Sequence, residues 1–354
     1  MTKKKVLIIG AGILGASLAW HLSREGAQVS VVTANPPGAV ATANSWAWIN
    51  ASWGNPEAYF RFRLESMNRW KRLAQEVPGL GFNPCGSLTY DLDEPALRRF
   101  VAEHARWGYP VRLVEPDEIA RLEPGLVTPP PLSAFAEAEG VVEPVQATHA
   151  LLADAGVQVL VAEVHGVSVR NGRVAGIMTG EGFVVADEVI VAAGAQSARL
   201  MATAGVEIKL ETPGGVLVHT DILPPVLSRL VVSPRIHMRQ TAEGRIVGGT
   251  DFGGSPIEAG PDRIAEEMMA LIRQMVRGAQ NAQMHRYSVG YRPTPGDGLP
   301  IIGRPGGVAG LYLAVMHSGV TNAPAVGAFV AQEILTGERD ALLTPFGLER
   351  FSAG

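Results

Sequence analysis

The residues whose types and spacing best fit a chemical task stand near the start of the chain. Gly10-Ala11-Gly12-Ile13-Leu14-Gly15 is a G-x-G-x-x-G run. The β-branched, apolar stretch 6–9 before it suits a strand buried on both faces. Leu14, Leu18 and Leu22 after it form a helical stripe that stops at Gly26, and a second apolar strand at 29–32 closes a β-α-β unit. In such a unit Gly10 makes the tight turn, Gly12 lets the backbone approach a pyrophosphate, and Gly15 lets helix and strand pack closely. The helix then turns its free N–H groups and positive dipole end towards the phosphates. Glycine-rich turns are common, but one set between strand, helix and strand at this spacing predicts dinucleotide binding. The second strand ends in Thr33, Ala34 and Asn35, where such units usually place an acid for the adenosine ribose. Thr33 or Asn35 can bond a ribose hydroxyl, more weakly than a carboxylate, and no arginine stands nearby for a 2′-phosphate.

No Ser-His-Asp, HExxH or paired-carboxylate motif appears. Two downstream residues are candidates for chemistry. Arg292 stands in a loop made rigid by Gly290, Pro293 and Pro295, where a surface arginine in a turn would look the same as one with a task. His317 either reaches the site or caps the helix that follows. Tyr287, Tyr291 and His285 lie on one predicted strand, where aromatic residues usually serve packing. Arg239 and His237 alternate with Ile236 and Met238, the pattern of a half-exposed strand. Trp46 and Trp48 read as core. Cys85 is the single cysteine, which rules out an internal disulfide and a cysteine-rich metal site. No metal is expected.

These residues need elements to position them. The chain has 354 residues, 47% hydrophobic and 18% charged, enough for an extensive core. Net charge is −4, with no basic block beyond Lys3-Lys4-Lys5, so nucleic acid and anionic membrane surfaces are not expected partners. No stretch offers the ~18 apolar residues of a membrane span, and the first residues make a poor signal peptide. A cytoplasmic protein is the expectation. An amphipathic helix is predicted over 56–76, with Phe60, Leu64, Met67, Trp70 and Leu73 on its stripe. Further strands are expected at 157–161, 215–220, 229–232, 235–240 and 244–249, and at 311–315. Asn171-Gly172 marks a hairpin. Helices are predicted over 94–107, 261–278 and from about 323 to 335.

Four motifs, GAGILG at 10–15, VIVAAGA at 189–195, GYRPTPGDGLPIIG at 290–303 and HSGVTNAP at 317–324, resemble those of a known family. It is the D-amino-acid oxidase, glycine oxidase and sarcosine oxidase group of FAD-dependent oxidoreductases. The first two motifs occur in many flavoproteins, the last two are more specific, and the resemblance spans nearly the whole chain. It implies an α/β fold (α+β overall), with a Rossmann-like FAD-binding domain and an inserted antiparallel-sheet substrate domain. The FAD domain would comprise 1–80, 139–205 and 290–354, and the substrate domain 81–138 and 206–289.

The resemblance also implies roles. Gly10, Ala11, Gly12, Ile13, Leu14 and Gly15 would meet the pyrophosphate, and Thr33 and Ala34 the ribose. Thr42, Ala43, Asn44 and Ser45 would form a small-residue loop beside phosphates and flavin. Val164 would clasp the adenine through its backbone, and Ala193 and Gly194 would pass close to FAD. Ser318, Gly319, Val320, Thr321 and Asn322 would meet the pyrimidine end of the flavin, where a helix N-terminus near Ala323 favours the negative charge of the reduced ring. Gly290 stands where covalent members carry a cysteine, so FAD would be held non-covalently. Arg292 would grip a substrate carboxylate.

The implied activity is hydride transfer to FAD from the carbon beside the amine of a small amino acid or N-substituted amino acid. Related oxidases place a lysine over the flavin, and Val247 stands near that place, which leans towards a dehydrogenase. An NAD(P)-dependent dehydrogenase and a flavoprotein subunit that needs a partner remain the other readings. Substrate side chain, electron acceptor (oxygen or another) and oligomeric state, whether homo-oligomer or subunit of a larger dehydrogenase, stay open from sequence.

Overall fold

The structure, a computed structural model, describes residues 3–52, 54–250, 257 and 260–351. Of the expected domain segments, 1–2, 53, 251–256, 258–259 and 352–354 lie outside the described residues. The helices in chain order are α1 (Ile13–Arg24), α2 (Glu57–Glu76), α3 (Glu94–Arg106), α4 (Pro116–Leu122), α5 (Pro144–Ala155), α6 (Ser197–Ala202), α7 (Pro261–Met275) and α8 (Gly319–Thr336).

Lys5–Ile9 is the centre of a six-stranded sheet. Across it the order is Ile301–Gly303, Leu311–Val315, Glu188–Val191, Lys5–Ile9, Gln28–Thr33 and Gln158–Val161. All neighbours run parallel except the first pair. Val6, Leu7, Ile8 and Ile9 are all buried, which is why the segment carries no polar alternation. One face of the sheet is covered by α1, which packs against α5 and α8. Beside the sheet lies a three-stranded antiparallel unit, Val164–Arg170, Arg173–Thr179 and Gly182–Val185. Its first turn is the expected one: Asn171 and Gly172 both take left-handed backbone, φ 51° and 72°.

The second large sheet has eight strands in the order Met284–Tyr291, Gly214–Ile222, Arg245–Gly249, His237–Gln240, Leu230–Val232, Ser87–Thr89, Ser133–Ala136 and Val111–Val114. It is antiparallel except where Leu230–Val232 meets Ser87–Thr89. A separate core backs it, with Met268, Met269 and Ile272 of α7 packed on Val216, Val218 and Ile246. Smaller pairings stitch the two large sheets together: Gly140–Val142 takes up Trp48–Ile49 on one side and Phe82–Asn83 on the other, and Leu210–Glu211 pairs with Thr294–Pro295.

Two sequence expectations need correction. First, α8 begins at Gly319, four residues before the expected start near Ala323. Pro324 is the reason. A proline reads as an early helical position, because its missing N–H would leave the carbonyl of Val320 without a partner deeper in a helix. Here α2 supplies the missing partners, a donor and an acceptor. Trp70 Nε1 donates to Val320 O and Thr321 O, both at 3.1 Å, and Ser66 Oγ accepts from Ala325 N at 3.2 Å. Second, His237–Gln240 is not half-exposed: His237 and Arg239 are buried like Met238 between them. Arg239 survives there by pairing with Glu143 at 2.9 Å and donating to Trp46 O at 2.8 Å.

Candidate active site

The carboxyl ends of Lys5–Ile9, Gln28–Thr33 and Leu311–Val315 open onto a cavity of about 930 Å³, and the far wall comes from the eight-stranded sheet. Crevices at the carboxyl ends of parallel strands are where such sheets bind ligands.

At one end the site is made of backbone. Gly10 sits at φ 109°, and a side chain there would strike the Ala192 carbonyl group. Gly15 has no room for a Cβ against the Gly10 carbonyl, so it serves packing and does not line the cavity. Gly12 has ordinary backbone, and what it needs is space: a Cβ would stand 3.2 Å from Thr42 Oγ1. It is also the residue before α1, which carries no side-chain cap and no acid in its first turn. Thr42 Oγ1 accepts from Ile13 N at 3.1 Å, tying the small-residue loop to the turn. The positive end of α1, with no acid in its first turn, therefore faces the cavity, as a pyrophosphate requires.

Thr33 donates its hydroxyl to Asn35 O at 2.9 Å, leaving only acceptor capacity for a ribose. An acid does stand close by. Glu163 lines the cavity next to Val164, two residues beyond Val161, the partner of Thr33 across the sheet. The sequence reading missed it because it looked for the carboxylate on the strand before, not on its neighbour.

The other end is made of side chains. Arg292 follows the strand Met284–Tyr291, and its guanidinium lies directly over Gly215, where a Cβ would come within 2.7 Å of Cζ. Gly290 packs with equal tightness on Asn44, whose Cβ would be 2.7 Å from a Cβ at 290. Two glycines thus let the end of the strand press against the N-terminal loop and bring Arg292 into the cavity. His317 Nδ1 lies 3.2 Å from Ser318 Oγ. Ser318 precedes α8, which again has no side-chain cap and no acid in its first turn.

Arg63 is the residue the sequence reading overlooked. It lies on α2, lines the cavity, and donates to Ser318 Oγ (2.7 Å), Asn50 Oδ1 (2.6 Å) and Asn50 O (3.0 Å). Near it, Trp48 is fixed by a fully buried carboxylate. Glu139 accepts from Trp48 Nε1, Ser52, Ser87 and Tyr109 at 2.6–2.8 Å, and burial pushes its carboxyl above the usual range.

Most of the expected site residues line this one cavity: Gly10, Ala11, Gly12, Ile13, Leu14, Thr33, Ala34, Thr42, Asn44, Ser45, Val164, Ala193, Gly194, Gly290, Arg292, His317, Ser318, Gly319, Val320 and Thr321. Gly15, Ala43 and Asn322 do not. Asn322 is fully buried and donates to the Tyr59 hydroxyl at 3.0 Å. Tyr291, His237, Trp46 and Trp48 line the cavity, whereas Tyr287, His285 and Arg239 stand outside it. Among the described lining residues Arg63, Arg199 and Arg292 face a single acid, Glu163. With two helix N-termini that carry no acid in the first turn, the lining suits an anionic ligand. No group of His, Cys, Asp and Glu among the described residues would hold a metal, and no described helix is long and apolar enough to cross a membrane.

The model of the DAO family of FAD dependent oxidoreductases matches residues 5–333, and the chain belongs to that family. It is an FAD-dependent oxidoreductase, and the glycine-lined, positively ended cavity fits that cofactor. A subunit of the opine oxidase of Agrobacterium tumefaciens (strain Ach5) is 26% identical, over 100% of this chain and 99% of that protein. Glycine oxidase of Pseudomonas putida is also 26% identical, over 94% and 95%. The crystal structure of iminodiacetate oxidase from Chelativorans sp. BNC1 superimposes with a TM-score of 0.84 at 26% identity, covering 97% of this chain and 98% of that one.

Proposed function

We propose that this enzyme oxidises the C–N bond of a small amino acid or N-substituted amino acid at the carbon beside the amine. The observation that carries the reading is Arg292, a guanidinium set by Gly215 into the same cavity as the phosphate-binding turn. FAD, when bound, accepts the hydride. The chain's part is to bind and orient: Arg292 takes the substrate carboxylate in its planar fork, and the indoles of Trp46 and Trp48 wall the substrate from water. In this reading the segments around the parallel sheet hold FAD, without a covalent bond because position 290 is glycine, and the eight-stranded sheet supplies the substrate wall. Anaerobic mixing with D-, L- and N-methyl amino acids tests it through bleaching of the flavin bands. Bleaching by plain amines in preference to all amino acids would overturn it.

The electron acceptor is a separate matter. Val247 is buried within Arg245–Gly249, and no lysine is among the described residues lining the cavity. We read the protein as a dehydrogenase. Mixing reduced enzyme with air-saturated buffer should give reoxidation much slower than turnover; reoxidation as fast as turnover makes it an oxidase. The likeness to an opine oxidase subunit supports assay with and without added acceptors and partner chains. A lone cysteine supports a cytoplasmic location.

A further inference from the structure

The Ser318 hydroxyl stands between an arginine and a histidine. Arg63 Nη1 donates to Ser318 Oγ at 2.7 Å, and His317 Nδ1 lies 3.2 Å from the same oxygen. The guanidinium is held firmly in that place. It is buried, its Nε donates to Asn50 O at 3.0 Å and its Nη2 to Asn50 Oδ1 at 2.6 Å, and the Tyr59 ring centre lies 5.3 Å from its Cζ.

A guanidinium has donors only, so the direction of the first bond is fixed and Ser318 Oγ accepts. The hydroxyl hydrogen then needs an acceptor, and among the described residues the atom in reach of it is His317 Nδ1. A hydroxyl whose oxygen already accepts from a cation is a stronger donor and a weaker acceptor than a plain one. A neutral imidazole with its proton on Nδ1 would aim a second donor at that oxygen and leave the hydroxyl hydrogen without a partner. The ring with a lone pair on Nδ1 meets both needs. Two other histidines show the contrast. His21 Nδ1 lies 2.8 Å from Ser17 O, and His104 Nδ1 lies 2.9 Å from Phe100 O. A carbonyl oxygen only accepts, so in those rings Nδ1 carries the proton.

We infer that His317 is held with its proton on Nε2, so that it serves the cavity as a hydrogen-bond donor and not as a base, with Ser318 and Arg63 as the positioning residues. His317 lines the cavity. Its Nε2–H suits an oxygen of the bound ligand, while its lone pair on Nδ1 is taken by Ser318 and cannot receive the proton of a substrate amine. The role in turnover rests on the proposed C–N oxidation, whereas the tautomer does not.

Nitrogen-15 NMR of the FAD-loaded protein, labelled in histidine, reads the tautomer directly at about pH 8, where an ordinary imidazole is neutral. The His317 signals are those lost in His317→Gln. Native His317 should show an unprotonated Nδ1 and a protonated Nε2, and His21 and His104 the reverse. Ser318→Ala should bring both His317 nitrogens towards the average of the two forms. Arg63→Leu should do so in part, and Arg63→Lys, which still donates, should stay near native. A protonated Nδ1 in the native protein overturns the inference, even where a variant loses FAD. So does a native tautomer that survives both Ser318→Ala and Arg63→Leu. In turnover, His317→Leu should lower catalytic efficiency at least about tenfold. His317→Gln, whose amide N–H replaces the Nε2–H, should recover most of that loss. A base would be lost in both variants alike, so equal efficiencies in the two overturn the donor role. Amino acids that leave the native flavin oxidised sink the proposed C–N oxidation instead and leave the tautomer standing.

Discussion

The two ends of the cavity are built on opposite plans. The phosphate end is local and made of backbone: a turn, a helix start and the Thr42 hydroxyl, all within the first 45 residues. The other end, which we propose takes the substrate, is assembled from α2, the strand Met284–Tyr291, the residues before α8 and two tryptophans of the N-terminal loop. The first plan needs the absence of side chains and the second needs particular ones. A change at the first end should therefore abolish binding outright, whereas a change at the second should grade the chemistry.

Gly12→Val should show the largest effect. The added branches would fill the space between the turn and Thr42 Oγ1, where a Cβ already comes to 3.2 Å. The purified variant is expected to be colourless with unchanged far-ultraviolet circular dichroism, and a variant that holds FAD normally would refute the local plan. Arg292→Met comes next: an intact flavin spectrum with catalytic efficiency towards amino acids lowered on the order of a hundredfold or more. Arg292→Lys should restore only part, since an ammonium lacks the fork. A change of less than about threefold in both variants would mean that Arg292 is an ordinary surface residue.

Trp70→Phe tests the support behind the second end and carries the smallest effect on function. It removes the donor to Val320 O and Thr321 O, leaving carbonyl groups of α8 without it beside Pro324. Unfolding in urea should show a loss of about 1–3 kcal/mol, with FAD still bound. Unchanged stability would mean that the helix closes over the proline unaided.

The same division explains what could be read from the sequence. The turn at Gly10, Gly12 and Gly15 was legible because its geometry is met within one β-α-β unit, so spacing alone specifies it. Arg63 was not. In a helix that also carries Arg61, Arg69, Lys71 and Arg72, an arginine reads as part of the solvated face, and only the packing of α2 on α8 shows Arg63 turned inward. The start of α8 was misread for a related reason: the partners that excuse Pro324, Trp70 and Ser66, are more than 250 residues away. His237 and Arg239 looked half-exposed because alternation reports polarity, and a buried ion pair is polar too. Arg292 was legible as a motif, but the need for Gly215 beneath it appears only in the register that pairs Gly215 with Gly290.

One face of α2 makes three of its bonds to the beginning of α8: Arg63 to Ser318, Ser66 to Ala325 and Trp70 to Val320, separated by 255, 259 and 250 residues of chain. The bond that ties the phosphate turn to its loop, Thr42 to Ile13, closes over 29. Contacts distant in sequence wait for large loops to close and form slowly, while local units form early and from the N-terminus as a chain emerges. Order of assembly is thereby tied to order of sequence: the turn at 10–15 and the Thr42 loop can pair while most of the polypeptide is still to come, whereas Arg63 can meet Ser318 only once the start of α8 has been made.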